Sequence, residues 1–287
     1  MAGIHGGEEI RIAIAGDLHD HWDETDHALL ERIRPDAVLL VGDLSEGRPR
    51  IPAMLRRLPL PMACILGNHD TGRDASGAVL QRQLDLLGEH HCGWGLRELR
   101  PPGLAVVGAR PGTAGGGYRL CRATQAVYGP VDLWESADRI TRAALAADRT
   151  LPLVLLAHCG PSGLGNQAQD PCGRDWKKRA GDWGDQDLAL AIGQIRRHRG
   201  VPLVVFGHMH HSLRRGLGLR RSIHRDMAGT TYLNAACVPR HGVDGERRPL
   251  RHFSWVSLEA SSGEVRHVSH RWYGPDGSLH YEETLRC

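Results

Sequence analysis

The sequence predicts an α/β fold, and three observations carry that expectation. In the first third of the chain, short apolar runs rich in β-branched residues alternate with segments of helical spacing, the pattern of parallel strands joined by helices. Five apolar runs end in glycine, carboxylate, amide or imidazole. Residues 10–15 lead into Gly16-Asp17-Leu18-His19, 37–41 into Gly42-Asp43, and 62–66 into Gly67-Asn68-His69-Asp70. Residues 151–157 end at His158, and 203–206 lead into Gly207-His208-Met209-His210. In an open α/β sheet, ligands gather in the crevice outside the carboxyl ends of the strands. After Gly207 the pattern turns predominantly to strands.

The elements follow in order. A strand over 10–15 precedes a helix over 25–33, with Asp23 or Thr25 as its N-cap. Strand 37–41, a helix over 51–58 that stops before Pro59, and strand 62–66 come next. In 78–87, Val79, Leu80, Leu84 and Leu87 share one helical face, and Gly88 is the stop. Short strands are expected at 96–99 and 104–107, around Pro101-Pro102-Gly103, and the Gly-rich stretch 111–118 as a flexible surface loop. An amphipathic helix over 131–147 leads to strand 153–157. The insertion 160–185 is too long for a plain connection, and its Trp and Cys content argues against disorder. Helix 186–198 and strand 203–206 follow, then strands at 230–234, 252–258 and 264–273 and a turn at Pro275-Asp276-Gly277.

Composition sets the bounds. A chain of 287 residues is ample for a sizeable core, and residues 1–287 are expected to form a single domain. A net charge of +3 does not argue for nucleic acid or a membrane, although the Arg-rich region after Gln194 allows an anionic partner. No stacking platform interleaves with Lys and Arg, which argues against nucleic acid. The seven cysteines form no CxxC pair, so a reduced chain is expected. No signal peptide is read in residues 1–9 and no apolar run reaches spanning length. A cytoplasmic protein with no membrane partner is the expectation; the oligomeric state stays open.

The strand ends carry the chemistry. If the chain stays extended through Asp17 and His19, both side chains point to one side, and His208 and His210 repeat that spacing. Asp43 offers a carboxylate able to bridge two cations, Asn68 a neutral oxygen and His158 an imidazole. Seven mixed N and O ligands are too many for one tetrahedral ion and suit two. The absence of thiolates disfavours structural zinc and favours two divalent ions, Mn, Fe or Zn, with open positions. Taken singly, each of these motifs is more often a turn or a satisfied polar residue; their order and shared position carry the reading.

The ordered set Asp17-x-His19, Gly42-Asp43, Gly67-Asn68-His69-Asp70, His158 and Gly207-His208-x-His210 resembles the calcineurin-like metallophosphoesterase superfamily across residues 10–210. The resemblance implies a four-layer α/β/β/α sandwich of two mixed β-sheets flanked by helices. It places one metal on Asp17, His19 and His210 and the other on Asn68, His158 and His208, with Asp43 bridging. The implied activity is phosphoester hydrolysis, as a phosphatase or phosphodiesterase, by a metal-bridging hydroxide attacking in line. Residues 160–165 and 170–176 resemble a branch of that superfamily found in cyanobacteria and plant plastids. Asp20 stands where the family often has glycine, and is expected to narrow the cleft or tune a ligand.

His69, beside Asn68, is the candidate acid or electrostatic stabiliser. Asp70 is expected to orient it and keep it protonated, the alternative being a helix N-cap. Arg174 and Lys177, with Lys178 and Arg179, are candidates to fold over the phosphate, or else form a solvated basic loop. Trp22, Trp176 and Trp183 either stack on a base or pin loops. His90, His91, His224, His252, His267 and His270 are read as structural. The expected substrate is a small phosphorylated molecule or a phosphoprotein. The alternative is a non-catalytic metal-binding scaffold of the same fold, docking partners on its Arg-rich face, but such scaffolds tend to lose ligands and none is missing here.

Overall fold

The computed structural model describes residues 8–215 and 218–286. Residues 1–7, which hold most of the stretch inspected for a signal peptide, and Cys287 lie outside them. Along the chain, β1 (Glu9–Ala15), α1 (Glu24–Ile33), β2 (Ala37–Leu40), α2 (Arg50–Leu55), β3 (Met62–Cys64) and α3 (Ala78–Leu87) alternate as expected. Next come β4 (Leu96–Leu99), β5 (Leu104–Gly108), α4 (Arg122–Tyr128), α5 (Leu133–Ala146) and β6 (Leu153–Cys159). After them run α6 (Gln186–Ile195), β7 (Leu203–Gly207), β8 (Ile223–Arg225) and β9 (Thr231–Asn234). The chain closes with β10 (His241–Val243), β11 (Pro249–Glu259), β12 (Val265–Tyr273) and β13 (Leu279–Thr284).

Two mixed sheets result. One has the order β13-β12-β11-β1-β2-β3, with β10 on β11; the other runs β4-β5-β6-β7-β9-β8. Alternation along β1 shows why the first is covered on both faces. Ile10, Ile12 and Ile14 enter one apolar cluster while Ala13 and Ala15 enter another, because successive strand side chains point to opposite faces. The alanine side seats α1, α2 and α3 through Leu29, Leu30, Ile51, Leu55, Leu80 and Leu87. The isoleucine side packs on the second sheet, whose far face takes Ala137, Ile140 and Ala144 of α5 and Leu188, Ala191 and Ile195 of α6. The layers are therefore α/β/β/α.

Caps set the helix starts. Asp23 accepts from Thr25 N at 2.9 Å while Asp26 accepts from Asp23 N at 2.9 Å, a reciprocal box at the head of α1. Asp132 caps α5 by accepting from Glu135 N at 2.8 Å.

The structure departs from expectation in several places. The chain is not extended through Asp17 and His19: β1 ends at Ala15, and these residues have φ of 46° and 42°. Folding back keeps both on the rim, where His19 N donates to Asp43 O at 2.8 Å. Residues 111–118 are no loose loop but pack against the insertion, with Trp183 Nε1 donating to Ala114 O at 2.8 Å. Helix α4 and strands β8, β10 and β13 go beyond the sequence reading; β13 is exposed at every position, so even its alternating Leu279 and Tyr281 mark no buried face. The six cysteines among the described residues are free thiols. No helix among those residues is long and apolar enough to cross a membrane.

Candidate metal centre

The strands β1, β2, β3 and β7 deliver the residues that follow them, and β6 its own His158, to one rim, where two sets of donors form and a third, His19, Glu46 and His69, lies at the exposed edge. Asp17, His19 and His210 each offer an atom within 4.8 Å of the others, and so do Asp43, His158 and His208. Nε2 of His19 and Nε2 of His210 face each other at 3.2 Å, and Asp17 Oδ1 lies 3.9 Å from His210 Nε2. Asn68 joins the second set, its Oδ1 3.0 Å from His158 Nε2. Asp43 sits between the sets: Oδ1 is 3.4 Å from His158 Nε2, and Oδ2 is 3.9 Å from His19 Nε2.

Glycine before a donor is a matter of room. A Cβ on Gly67 would collide with Asp43 Oδ1 and stand 2.6 Å from His158 Cε1, and one on Gly207 would collide with Asp17 Oδ2. The donors themselves absorb strain. Asp17, His19, Asp43 and His208 all have positive φ, a region costly for side-chain-bearing residues and found at functional sites.

The electrostatics fit divalent cations. Asp17 and Asp43 are buried, and their ion-pair partners among the described residues are histidines rather than Arg or Lys, so their negative charge calls for another counter-charge. Burial pushes Asp17 up to about 7. At Asp43 burial also opposes ionisation, yet His158 outweighs it and holds the carboxyl well below its usual range. His158 shows the reverse pull: against burial, Asp43 raises it to about 10. A buried imidazole gains proton affinity only where negative charge is concentrated. Burial lowers His208 to about 3 and His210 to about 4, leaving both neutral with lone pairs free. His158 donates from Nδ1 to Val41 O at 2.8 Å, which turns Nε2 toward Asn68 and Asp43 as the nitrogen available to a metal. Nε2 and the Asn68 amide oxygen facing at 3.0 Å suit a shared cation.

His69 stands exposed at the edge of this cluster, Nε2 4.0 Å from Asp43 Oδ2. Its orienting partner is Glu46 rather than Asp70. Nδ1 lies 2.8 Å from both carboxylate oxygens of Glu46; burial works against protonation, but Asp43 and Glu46 together raise the pKa. Asp70 is buried and turns away, accepting from Gly67 N at 2.8 Å and Ser45 N at 3.0 Å. It neither orients His69 nor caps a helix, since backbone N–H groups of two loops claim its oxygens first; it braces the loop of Asp43 against that of Asn68. Burial pushes it up to about 7. Sequence reasoning misses Glu46, although an acidic residue three places after Asp43 is an available signal.

A cavity of about 580 Å³ opens over the donors, lined by His19, Asp43, His69, His208 and His210 together with Trp176, Trp183, Met209 and Val238 and the polar Asp175, Ser212, Arg214 and Arg220. Arg174 and Lys177 do not line it. Arg174 is occupied with Arg179 O at 3.0 Å and the face of Trp183 at 5.2 Å, and Lys177 is exposed. The insertion presents its indoles to the site, while Lys177, Lys178 and Arg179 are exposed. Arg214, four residues after His210, and the buried Arg220 are the cations that line it, and Arg214 is the exposed one. Trp22 is core, packed on Phe253 and under Arg240. Asp20 does not line the cavity: it pairs with Arg48 at 2.5 Å, and its φ of 66° accounts for a glycine at such a position. Arg220 is buried, donating to the carbonyls of His210, Ala168, Asp170 and Gly173 at 2.7–3.1 Å, and so fastens the insertion to the donor strand.

A two-sheet sandwich with carboxylates and imidazoles gathered at the strand ends is an architecture able to hold metal ions. The chain belongs to the calcineurin-like phosphoesterase family, whose sequence model matches residues 10–212. Among solved structures it is similar to the crystal structure of TT1561 of Thermus thermophilus, with TM-score 0.53 and 13% identity, covering 93% of this chain and 100% of that one. A second crystal structure aligns with TM-score 0.57 and 9% identity over 90% of this chain and 98% of the other. GAP50, the anchor in the inner membrane complex of Plasmodium, aligns with TM-score 0.46 and 11% identity over 97% and 89%. At such identities the first two show a shared fold. No curated protein matches the chain.

Proposed function

We propose that the chain hydrolyses phosphate esters with two divalent ions. The observation that carries this is Asp43, whose two oxygens face different donor sets, Oδ1 toward His158 and Oδ2 toward His19. Asp17, His19 and His210 would hold one ion and Asn68, His158 and His208 the other, with Asp43 shared. Bound there, Mn, Fe or Zn would supply Lewis-acid charge to the phosphoryl oxygens and draw the pKa of water toward neutrality.

The remaining work falls to the chain. Glu46 holds His69 by Nδ1 at 2.8 Å, so a proton on Nε2 faces the cavity. That proton is placed to pass to the ester oxygen as it leaves, or to stabilise its developing charge. Asp70 keeps the loops of Asp43 and Asn68 in register through Gly67 N and Ser45 N. The cavity volume of about 580 Å³ suits a small phosphorylated molecule.

The test is turnover of p-nitrophenyl phosphate and its bis-ester by protein stripped with chelator and resupplied with Mn²⁺, Fe²⁺ or Zn²⁺. Hydrolysis restored by metal supports the proposal, and the preferred ester assigns phosphatase or phosphodiesterase. Bound metal without turnover of either ester would overturn it.

A further inference from the structure

The donors account for one side of the cavity and leave the other unexplained. A phosphoryl group occupies a small part of about 580 Å³, a volume in the range of sites that enclose a whole small molecule. Beside the donors, the lining sets the apolar and aromatic Trp176, Trp183, Met209 and Val238 next to Asp175, Ser212, Arg214 and Arg220. Trp176 and Trp183 meet edge to face, ring centroids 5.1 Å apart with the planes at 84°. Two half-buried indoles at the mouth of a hydrophilic site are costly to leave wet, and such rings take flat partners with particular geometry.

The wall is also built to stay in place. Trp183 is pinned by its Nε1 donation to Ala114 O at 2.8 Å. Gly115 and Gly116 run so close that a Cβ on Gly116 would stand 2.6 Å from the indole ring. The guanidinium of Arg174 sits 5.2 Å from the same ring. At its base the insertion is held by Arg110, which pairs with Asp185 at 2.6 Å. Trp183 thereby gives Trp176 a fixed neighbour.

Arg214 supplies the last element. It is exposed and lines the cavity; its backbone N donates to Asp175 at 2.6 Å, and its guanidinium has no carboxylate partner among the described residues. An unpaired guanidinium beside a phosphate site matches a second anionic oxygen of the ligand.

We propose, building on the phosphoesterase reading, that the ester taken by this site carries a flat aromatic group, a nucleobase or an aryl ring. The ring packs on the Trp176–Trp183 pair while Arg214 receives a further anionic group. Sugar phosphates and phosphorylated side chains of aliphatic residues lack the partner this wall requires. Stacking of a base on an aromatic side chain is worth about 1–3 kcal/mol, about fivefold to 150-fold in preference.

Two measurements test it. With Mn²⁺ supplied, kcat/KM is compared for AMP, benzyl phosphate and ribose 5-phosphate, all esters of primary alcohols. AMP, benzyl phosphate or both should exceed ribose 5-phosphate by at least about fivefold; Trp176→Ala should bring the ratio near unity and Trp176→Phe should keep most of it. In the parent chain ADP should be turned over with a higher kcat/KM than AMP, and Arg214→Ala should remove that difference; no difference in the parent would take Arg214 out of the proposal. Separately, in chelator and without turnover, adenosine or phenol should quench tryptophan fluorescence saturably in the parent chain and not in Trp176→Ala, whereas ribose should leave it unchanged. Adenosine alone acting assigns a nucleobase; phenol alone assigns an aryl ring. Equal kcat/KM for flat and aliphatic esters, or no saturable quench by either ring compound, overturns the inference. If no ester is turned over but the quench is seen, the hydrolase reading fails and the flat-ligand site stands.

Discussion

Glu46 brings both its carboxylate oxygens to 2.8 Å from Nδ1 of His69, two loops apart in the chain and side by side at the rim. The arrangement fixes the imidazole and raises its affinity for a proton. Replacing His69 by Asn should lower kcat by about 10²–10⁴ while leaving bound metal unchanged. Glu46→Gln should lower activity by about 10–100-fold. Steady-state kinetics paired with elemental analysis checks both. Loss of metal in His69→Asn would make His69 a ligand instead of a proton donor.

Gly67→Ala tests the packing of the donor loops. The added methyl meets Asp43 Oδ1, with Asp43 N and His158 Cε1 each 2.6 Å away. None of these neighbours can yield without moving a donor. Metal content and turnover should both fall, about tenfold or more, with the circular dichroism spectrum unchanged. A fully metallated variant would show that the rim is softer than its geometry implies.

Arg110 is buried and bridges Asp185 at 2.6 Å and Asp187 at 2.9 Å. Arg110→Met leaves two carboxylates facing each other without a counter-charge, and removing one partner of a buried pair typically costs about 3–5 kcal/mol. Urea denaturation measures this directly. Because Asp185 closes the insertion, KM for the ester should rise as well.

Acid should weaken the fold through His252 and His270, whose buried rings lie 5.1 Å apart on β11 and β12. Burial holds His252 well below its usual pKa and His270 down to about 3. The unfolded chain takes up protons at these sites near pH 6.5, long before the folded one does. Their contribution is intact above that value and is lost as pH falls from there toward 3, at about 1.4 kcal/mol per pH unit for each ring. Urea midpoints at pH 7, 6 and 5 should show a shallower slope in the double variant His252→Gln, His270→Gln. An identical slope would place the acid-sensitive groups elsewhere.

Divalent ions should stabilise the chain against heat. A ligand that binds only the folded state adds about 2.7 kcal/mol at one hundred times its Kd, so Mn²⁺ should raise Tm in the parent protein and have a much smaller effect in Asp43→Ala. Calorimetry with and without chelator decides the point.

Much of this is legible in the residues because strand physics is local. The alternation of Ile12 and Ile14 with Ala13 and Ala15 is written in the sequence and becomes two apolar faces in the fold. The polar endings of the apolar runs share one rim because parallel strands all point the same way. What is not legible depends on turns. Asp17 and His19 leave the extended region at φ of 46° and 42°, a choice made by neighbouring loops rather than by either residue. Asp70 is drawn to Gly67 N and Ser45 N instead of His69, since unpaired backbone donors lie nearer. Arg174 and Lys177 stand out in the sequence by charge, whereas the burial of Cys172 and the insertion's closure on Arg110 decide which side faces the cavity.

Arg220 has one consequence for anyone wishing to alter what the protein accepts. Its guanidinium is spent on carbonyls from both the insertion and His210. A graft that exchanges the insertion for a foreign segment without matching acceptors would strand a cation in the interior, loosening His210 along with the new wall. Retargeting therefore has to proceed by changing side chains such as Trp176 on the existing backbone, or by transplanting the insertion and its clasp as one piece.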